Sequence, residues 1–243
     1  MIRNCIGADV WATDTIPADL PPMVEFKDYA DKVILERYGI EVEHFTSSAY
    51  GNDKMTYEKG FYRVKNERSY RAGTITGFPF TNNGAWCNSE LKMSAIRKAR
   101  ASYSNGIEYI GIAADEPNRF HTLNDTKLSP LVEIGWTESD CRAWCEANDL
   151  LSPIYTKSAR GGCWFCHNQP IVQLRQLRHD YHDLWALLLQ WDSDSPIHFH
   201  ADGHTVHDFD ERFRLEDDGL INKDEPFRWT MLDAELNYRF EGF

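Results

Sequence analysis

The chain has no apolar run of about eighteen residues, the length a membrane-spanning helix requires. It also lacks the basic region, apolar stretch and cleavage site of a secretory signal, so a cytoplasmic setting and no membrane partner are expected. Basic charge is scarce: 26 Lys and Arg stand against 38 Asp and Glu, a net charge of −12. That balance argues against general affinity for a nucleic-acid backbone, which a basic face would supply. Internal repeats, low-complexity tracts and a clear linker are all missing. Cysteines number only six in 243 residues, and in a reducing compartment they read as metal or redox residues rather than a disulfide framework.

What is present suggests an α/β fold. "CIGADVWA" is a short apolar run that reads as a buried strand. "MVEFKDYADKVILERYG" spaces Met23, Phe26, Ala30, Val33, Ile34 and Tyr38 near a helical period, with Gly39 as its stop. "IEVEHF" alternates as a strand does, so strand, helix and strand open a parallel layer. Thr46 to Gly84 is polar, punctuated by glycine and without a strong period, an extended excursion of the kind that often carries function. "NSELKMSAIRKARAS" reads as a helix capped by Asn88 or Ser89, with Leu91, Ile96 and Ala99 on one side. "EYIGIAA" reads as a buried strand running into Asp115 and Glu116. Ligands gather beyond the carboxyl ends of such strands, so this pair is well placed for a site.

Thr137 and Asp140 come close to a capping box for a helix carrying Cys141 and Cys145 one turn apart. Ile171, Leu174, Leu177, Tyr181, Leu184, Trp185 and Leu188 mark one long amphipathic helix. The segment from Trp191 is acidic and histidine-bearing, with little regular period. The expected organisation is an α/β domain over 1–191 with an acidic appendage over 192–243. Charge is uneven: Lys54, Lys59, Arg63, Lys65, Arg68 and Arg71 are interleaved with Tyr57, Phe61, Tyr62 and Tyr70. Such a segment can hold an anionic substrate or a nucleic-acid single strand, and its plainer reading is a solvated surface.

The stretch "RGGCWFCHNQ" contains Cys163-x-x-Cys166. A tight turn at this spacing can aim two sulfurs at one metal ion, and zinc then needs two further ligands. Cys87, Cys141, Cys145 and His167 are the candidates, while Cys5 reads as core. Iron–sulfur clusters draw on the same thiolates. A redox couple would sit in a thioredoxin-like setting, which this sequence does not offer. Two buried thiols without a ligand are the plainer reading, since buried cysteine is common.

"AWCNSELK" (85–92), "GIAADEPNRF" (111–120), "LVEIGWTESD" (131–140) and "SPIYTKSARGGCWFC" (152–166) follow one another in the order found in the phosphoadenosine phosphosulfate (PAPS) reductase family. The chain resembles the phage and bacterial PAPS reductase-like branch from about Ala8 to Trp191. The resemblance implies an adenine nucleotide alpha-hydrolase fold, a parallel twisted sheet flanked by helices, with a metal-binding C-terminal half. It implies that Cys87, Cys163 and Cys166 hold a metal, either zinc or an iron–sulfur cluster. Many relatives have a cysteine pair where this chain has Trp86-Cys87, so Cys145 is the expected fourth ligand and His167 the second choice. Lys92, Asp115, Glu116, Arg119 and Arg160 fall where the family contacts or organises around its anionic nucleotide, ATP or a sulfonucleotide. Lys and Arg neutralise phosphate or sulfate, and a guanidinium binds two oxygens at once.

The sequence departs from the family in two places. The phosphate-binding Ser-Gly-Gly-x-Asp-Ser loop is absent, and Met1 stands where the second strand would begin; a glycine-rich loop at a helix N-terminus supplies much of a phosphate site. No cysteine follows Cys166, whereas true reductases attack sulfur with a thiolate from their tail. PAPS reduction by that route is not expected. The primary expectation is a nucleotide-dependent sulfur-transfer or nucleotide-activating enzyme, with a partner chain supplying the missing loop. The alternative is a non-catalytic, metal-stabilised module that binds a protein or nucleic acid.

Overall fold

A computed structural model describes residues 4–48, 53–79, 85–103, 106–156 and 161–232. Among the described residues the protein is a mixed α/β structure with two small parallel sheets. It divides into two compact units, each built from two separate stretches of chain. The first comprises Met1–Thr56 and Ser89–Gly162, the second Tyr57–Asn88 and Cys163–Phe243.

In the first unit, β1 (Asn4–Asp9), α1 (Pro21–Tyr38) and β2 (Glu41–Thr46) form the expected strand–helix–strand unit, with β1 and β2 parallel from Asn4 opposite Glu41 to Asp9 opposite Thr46. Two prolines open α1, where their missing N–H groups cost nothing. Gly39 closes it in the left-handed conformation at φ 64°, with its N–H donating to the Leu35 carbonyl at 2.9 Å. The first strand is shorter and less buried than its composition suggests. It ends at Asp9, Trp11 bridges to Pro17 instead, and Ile6 is 43% exposed. Of the apolar stripe on α1 only Val33 is buried.

Farther along, a π-helical turn over Asn88–Lys92 leads into α3 (Met93–Ala101); Leu91 of the turn and Ala95 and Ala99 of the helix are buried. The Asn88 or Ser89 cap does not form, because the turn carries helical backbone straight through to Lys92, which stands at the cap position of α3 without a side-chain hydrogen bond. "EYIGIAA" contributes only β3 (Glu108–Tyr109), parallel to β4 (Lys127–Leu128), with Ile112 and Ala113 buried beyond it. A short α4 (Pro130–Glu133) precedes α5 (Glu138–Ala147), which has the expected capping box: the Thr137 hydroxyl accepts from the Asp140 N–H, and the Asp140 carboxylate accepts from the Thr137 N–H.

The second unit is built around aromatic rings, and three of them, Tyr57, Phe61 and Phe78, come from the supposed excursion. Within α2 (Tyr57–Phe61), Tyr57 and Phe61 are fully buried. They pack with Phe78, Trp86, Trp164, Phe165 and Trp191, and Phe78 continues to Phe199 at 5.1 Å between ring centroids. The long helix of the sequence reading is two, α6 (Ile171–Asp180) and α7 (His182–Asp194), broken at Tyr181, whose ψ of 66° is not helical. The acidic segment is not a loose tail either. It forms α8 (Val206–Asp217), which has a capping box of Thr205 and Asp208 and buries Val206, Phe209, Phe213 and Leu215. The Glu216 carboxylate, 4% exposed, is held by Arg175 at 2.6 Å and Arg212 at 2.9 Å. Two cations and several hydrogen bonds are what such a buried charge requires.

Two predictions follow from this packing. Replacing a helical glycine by alanine ordinarily stabilises by about 1 kcal/mol. At Gly60 the sign should reverse, because an added Cβ would stand 2.2 Å from the Trp86 ring. Gly60→Ala should cost about 1–3 kcal/mol in denaturant unfolding, the usual penalty of overpacking.

His44 on β2 bonds to Asp9 on β1 through Nδ1 at 3.0 Å and to Asp31 on α1 through Nε2 at 2.6 Å. Lys27 also stands near, 3.8 Å from Asp9 and 2.6 Å from Asp19. A neutral imidazole has one N–H to donate, so satisfying both carboxylates calls for the imidazolium. Burial opposes that charge, but the hydrogen bonds and charges of Asp31 and Asp9 outweigh it and raise the pKa above 6.5. The group therefore contributes stability that is complete below its unfolded pKa and lost as pH rises through the raised folded one. The melting temperature of the parent minus that of His44→Gln should shrink as pH rises from about 6 to about 8.

Candidate metal centre

Cys163 and Cys166 enclose Trp164 and Phe165, which are 1% and 3% exposed, and Cys87 follows Trp86. Each thiol is thus next to a ring that is anchored in the aromatic core. The Phe165 ring lies 4.1 Å from that of Tyr57, Trp86 stacks on Tyr57 at 5.0 Å, and Trp164 stacks on Trp191 at 5.5 Å. The chain enters the turn through Gly162, at a φ of 149° that side chains rarely adopt. The Cys163 carbonyl then accepts both the Cys166 N–H at 3.0 Å and the Gln169 Nε2–H at 2.9 Å, which closes the turn. His167 is buried beside it.

Tyr57 lies where these segments meet. Its hydroxyl is buried and has no hydrogen-bond partner among the described residues. Burial pushes its pKa well above the ordinary range, and the charges of Cys87, Cys166 and Cys163 push it further. Those three thiols therefore lie in the electrostatic neighbourhood of one hydroxyl, within a single compact unit. As the side chains are placed, however, no group of three or more His, Cys, Asp or Glu among the described residues is drawn together closely enough to hold a metal ion. The donors match a soft metal in chemistry but not yet in geometry, and ligation would need the thiols to turn inward. None of the six cysteines, all within the described residues, is in a disulfide.

Cys145, the expected fourth ligand, belongs to the first unit. On α5 its pKa is raised by burial and then by Cys141 one turn away. The expected anion-binding residues are also in the first unit, apart from Arg160, which lies outside the described residues. Lys92 is exposed at the end of the π-helical turn. Glu116 accepts from Arg119 at 2.6 Å and from the Ala113 N–H at 3.0 Å, and these two contacts hold its pKa below the usual carboxylate range. Asp115 accepts the Glu138 N–H at 3.1 Å and so helps cap α5. Both carboxylates and the guanidinium thus hold the strand-end loop in shape, and an exposed pair of this kind contributes little stability.

Sequence reading placed Tyr57 in the basic aromatic segment and missed its burial beside the cysteines. The pair Tyr57 and Phe61, four apart around Gly60, was the available signal of a packed helical turn. No protein-family model matches the chain, and comparison with curated proteins and with solved structures finds no match.

A buried hydroxyl without a partner costs about 1–3 kcal/mol. Tyr57→Phe should therefore leave thermal stability unchanged or raise it in protein stripped of metal by chelation. A loss of more than about 1 kcal/mol would mean that the hydroxyl has a partner after all.

Proposed function

We propose that this chain is a PAPS reductase-like protein of the adenine nucleotide alpha-hydrolase kind, a nucleotide-dependent sulfur-transfer or nucleotide-activating enzyme with a cysteine-ligated metal staple. The observation that supports it is that Cys87, Cys163 and Cys166, from segments far apart in sequence, all stand near enough to the buried Tyr57 hydroxyl for their charges to oppose its ionisation. The family resemblance predicts this same trio. The buried Tyr57 hydroxyl beside them has no hydrogen-bond partner among the described residues, which an ordinary apolar core would avoid. A bound zinc ion or iron–sulfur cluster would pair the thiolates and join the turn at Cys163–Cys166 to the segment at Cys87. The parallel β1–α1–β2 unit and the polar loop after β3 are in keeping with an α/β nucleotide-binding ancestry.

A second reading is favoured by one observation. Asp115, Glu116 and Arg119 are engaged with one another's loop and with α5 rather than held ready for a substrate. On that reading the chain is a metal-stabilised binding module that no longer turns over a nucleotide.

Metal content separates both readings from a bare thiol core. Anaerobically purified protein should contain stoichiometric zinc, or iron with a brown chromophore. Cys163→Ser should lose the metal and melt on the order of 10 °C lower. Protein that contains neither element, with Cys163→Ser melting like the parent, would remove the metal centre. Isothermal titration with ATP then divides the two readings: heat of binding supports the enzyme, and its absence in metal-replete protein supports the module.

A further inference from the structure

The basic, tyrosine-bearing part of the second unit folds into a two-armed ribbon. The Lys65 N–H donates to the Thr74 carbonyl at 2.9 Å, the Gly73 N–H returns to the Lys65 carbonyl at 3.0 Å, and the Thr76 N–H reaches the Arg63 carbonyl at 2.9 Å. Val64 and Ile75 form an antiparallel bridge between the two arms. Nested turns close the tip, with the Ser69 N–H on the Asn66 carbonyl and the Ala72 N–H on the Ser69 carbonyl, both at 3.0 Å. The base is fixed by buried Phe61, Thr76 and Phe78. The arms are therefore held by backbone bonds at one end and by the aromatic core at the other.

Its chemistry is unlike that of the rest of the chain. Between Tyr57 and Gly77 five basic residues, Lys59, Arg63, Lys65, Arg68 and Arg71, face two acidic ones, Glu58 and Glu67, in a protein of net charge −12. Arg63 and Lys65 are two apart on one arm, so the strand period puts them on the same face. Burial lowers the pKa of Lys65, and the positive charges of Arg71 and Arg63 lower it further. At the tip Tyr70 is 84% exposed, with the Arg71 guanidinium 5.6 Å from its ring, and Val64 is 61% exposed. An exposed phenol flanked by guanidinium and ammonium groups can stack on a base while the cations meet the phosphates on either side. Lys54 is not part of this surface: it belongs to the first unit, where its ammonium lies 3.3 Å from the Trp11 ring centroid.

We propose that the ribbon Arg63–Thr76 is a binding arm for single-stranded nucleic acid, with Tyr70 as the stacking platform, Arg63, Lys65 and Arg68 as phosphate contacts, and the partly buried Arg71 guanidinium adding positive charge beside the ring. The acidic remainder of the chain repels the backbone, so contact is confined to this arm and binding is weak and steeply salt-dependent. The inference depends neither on the metal nor on nucleotide turnover.

The test is fluorescence anisotropy of labelled oligothymidylate with the full chain over a series of salt concentrations. Tyr70→Ala should weaken binding about tenfold, the range of one lost base stack. Arg68→Gln should reduce the slope of log affinity against log salt by about 0.7, one phosphate contact on a single strand. Both side chains are exposed, and melting curves matching the parent will show that the variants fold. Heparin, a polyanion without bases, should bind parent and Tyr70→Ala equally. The proposal is overturned if the parent fails to bind, if neither variant differs from it, or if duplex DNA binds as tightly as the single strand. It is equally overturned if a polyglutamate peptide displaces the oligonucleotide at matched charge, since the arm would then be a site for acidic protein segments.

Discussion

Trp191 in the second unit meets Tyr57, Phe61, Trp164 and Phe165, all with ring centroids within 6 Å. Much of the second unit depends on that cluster. Each buried aromatic contributes roughly 2–3 kcal/mol by leaving water, and favourable ring geometries add to it. Rings from three separate segments supply it, so none of those segments could bury its apolar side chains alone. Hydrogen bonds register the pieces: the Trp86 indole donates to the Gly77 carbonyl, and the Ser195 hydroxyl accepts from the Phe78 N–H.

The cysteine site is a consequence of this packing. Trp86, Trp164 and Phe165 fill the core, and the thiols beside them in sequence are carried to its margin. The same core anchors the base of the basic ribbon, through Phe61 and Phe78. One aromatic cluster therefore sets both the candidate metal centre and the arm proposed for nucleic acid. The first unit works differently. Its parallel strands are half-buried, and polar links such as Asp9–His44–Asp31 carry much of the connection between sheet and helix.

Local signals in the sequence were the reliable ones. Gly39 after α1, the alternation in β2 and the Thr137 capping box depend on neighbours within a few residues, and the structure has each of them; the Asn88 or Ser89 cap is the exception. Features set by distant contacts were misread. The stretch from Thr46 to Gly84 has no period because its aromatic residues serve a core made by other segments. The spacing from Ile171 to Leu188 suits one helix, yet the backbone breaks at Tyr181, and nothing in the sequence explains why it breaks there.

Sequence alone determined the chemical inventory: a pair of thiols two residues apart, a third far upstream, a basic aromatic segment and an acidic balance elsewhere. It also determined the local elements, because capping and turn preferences act over single turns of backbone. Only the tertiary structure decided that Cys87, Cys163 and Cys166 come near one buried hydroxyl while Cys145 belongs to another unit. It likewise decided that Asp115 and Glu116 are used within their own loop. Those outcomes depend on which distant side chains exclude water together, and hydrophobic burial is non-directional, so residue spacing does not encode its partners.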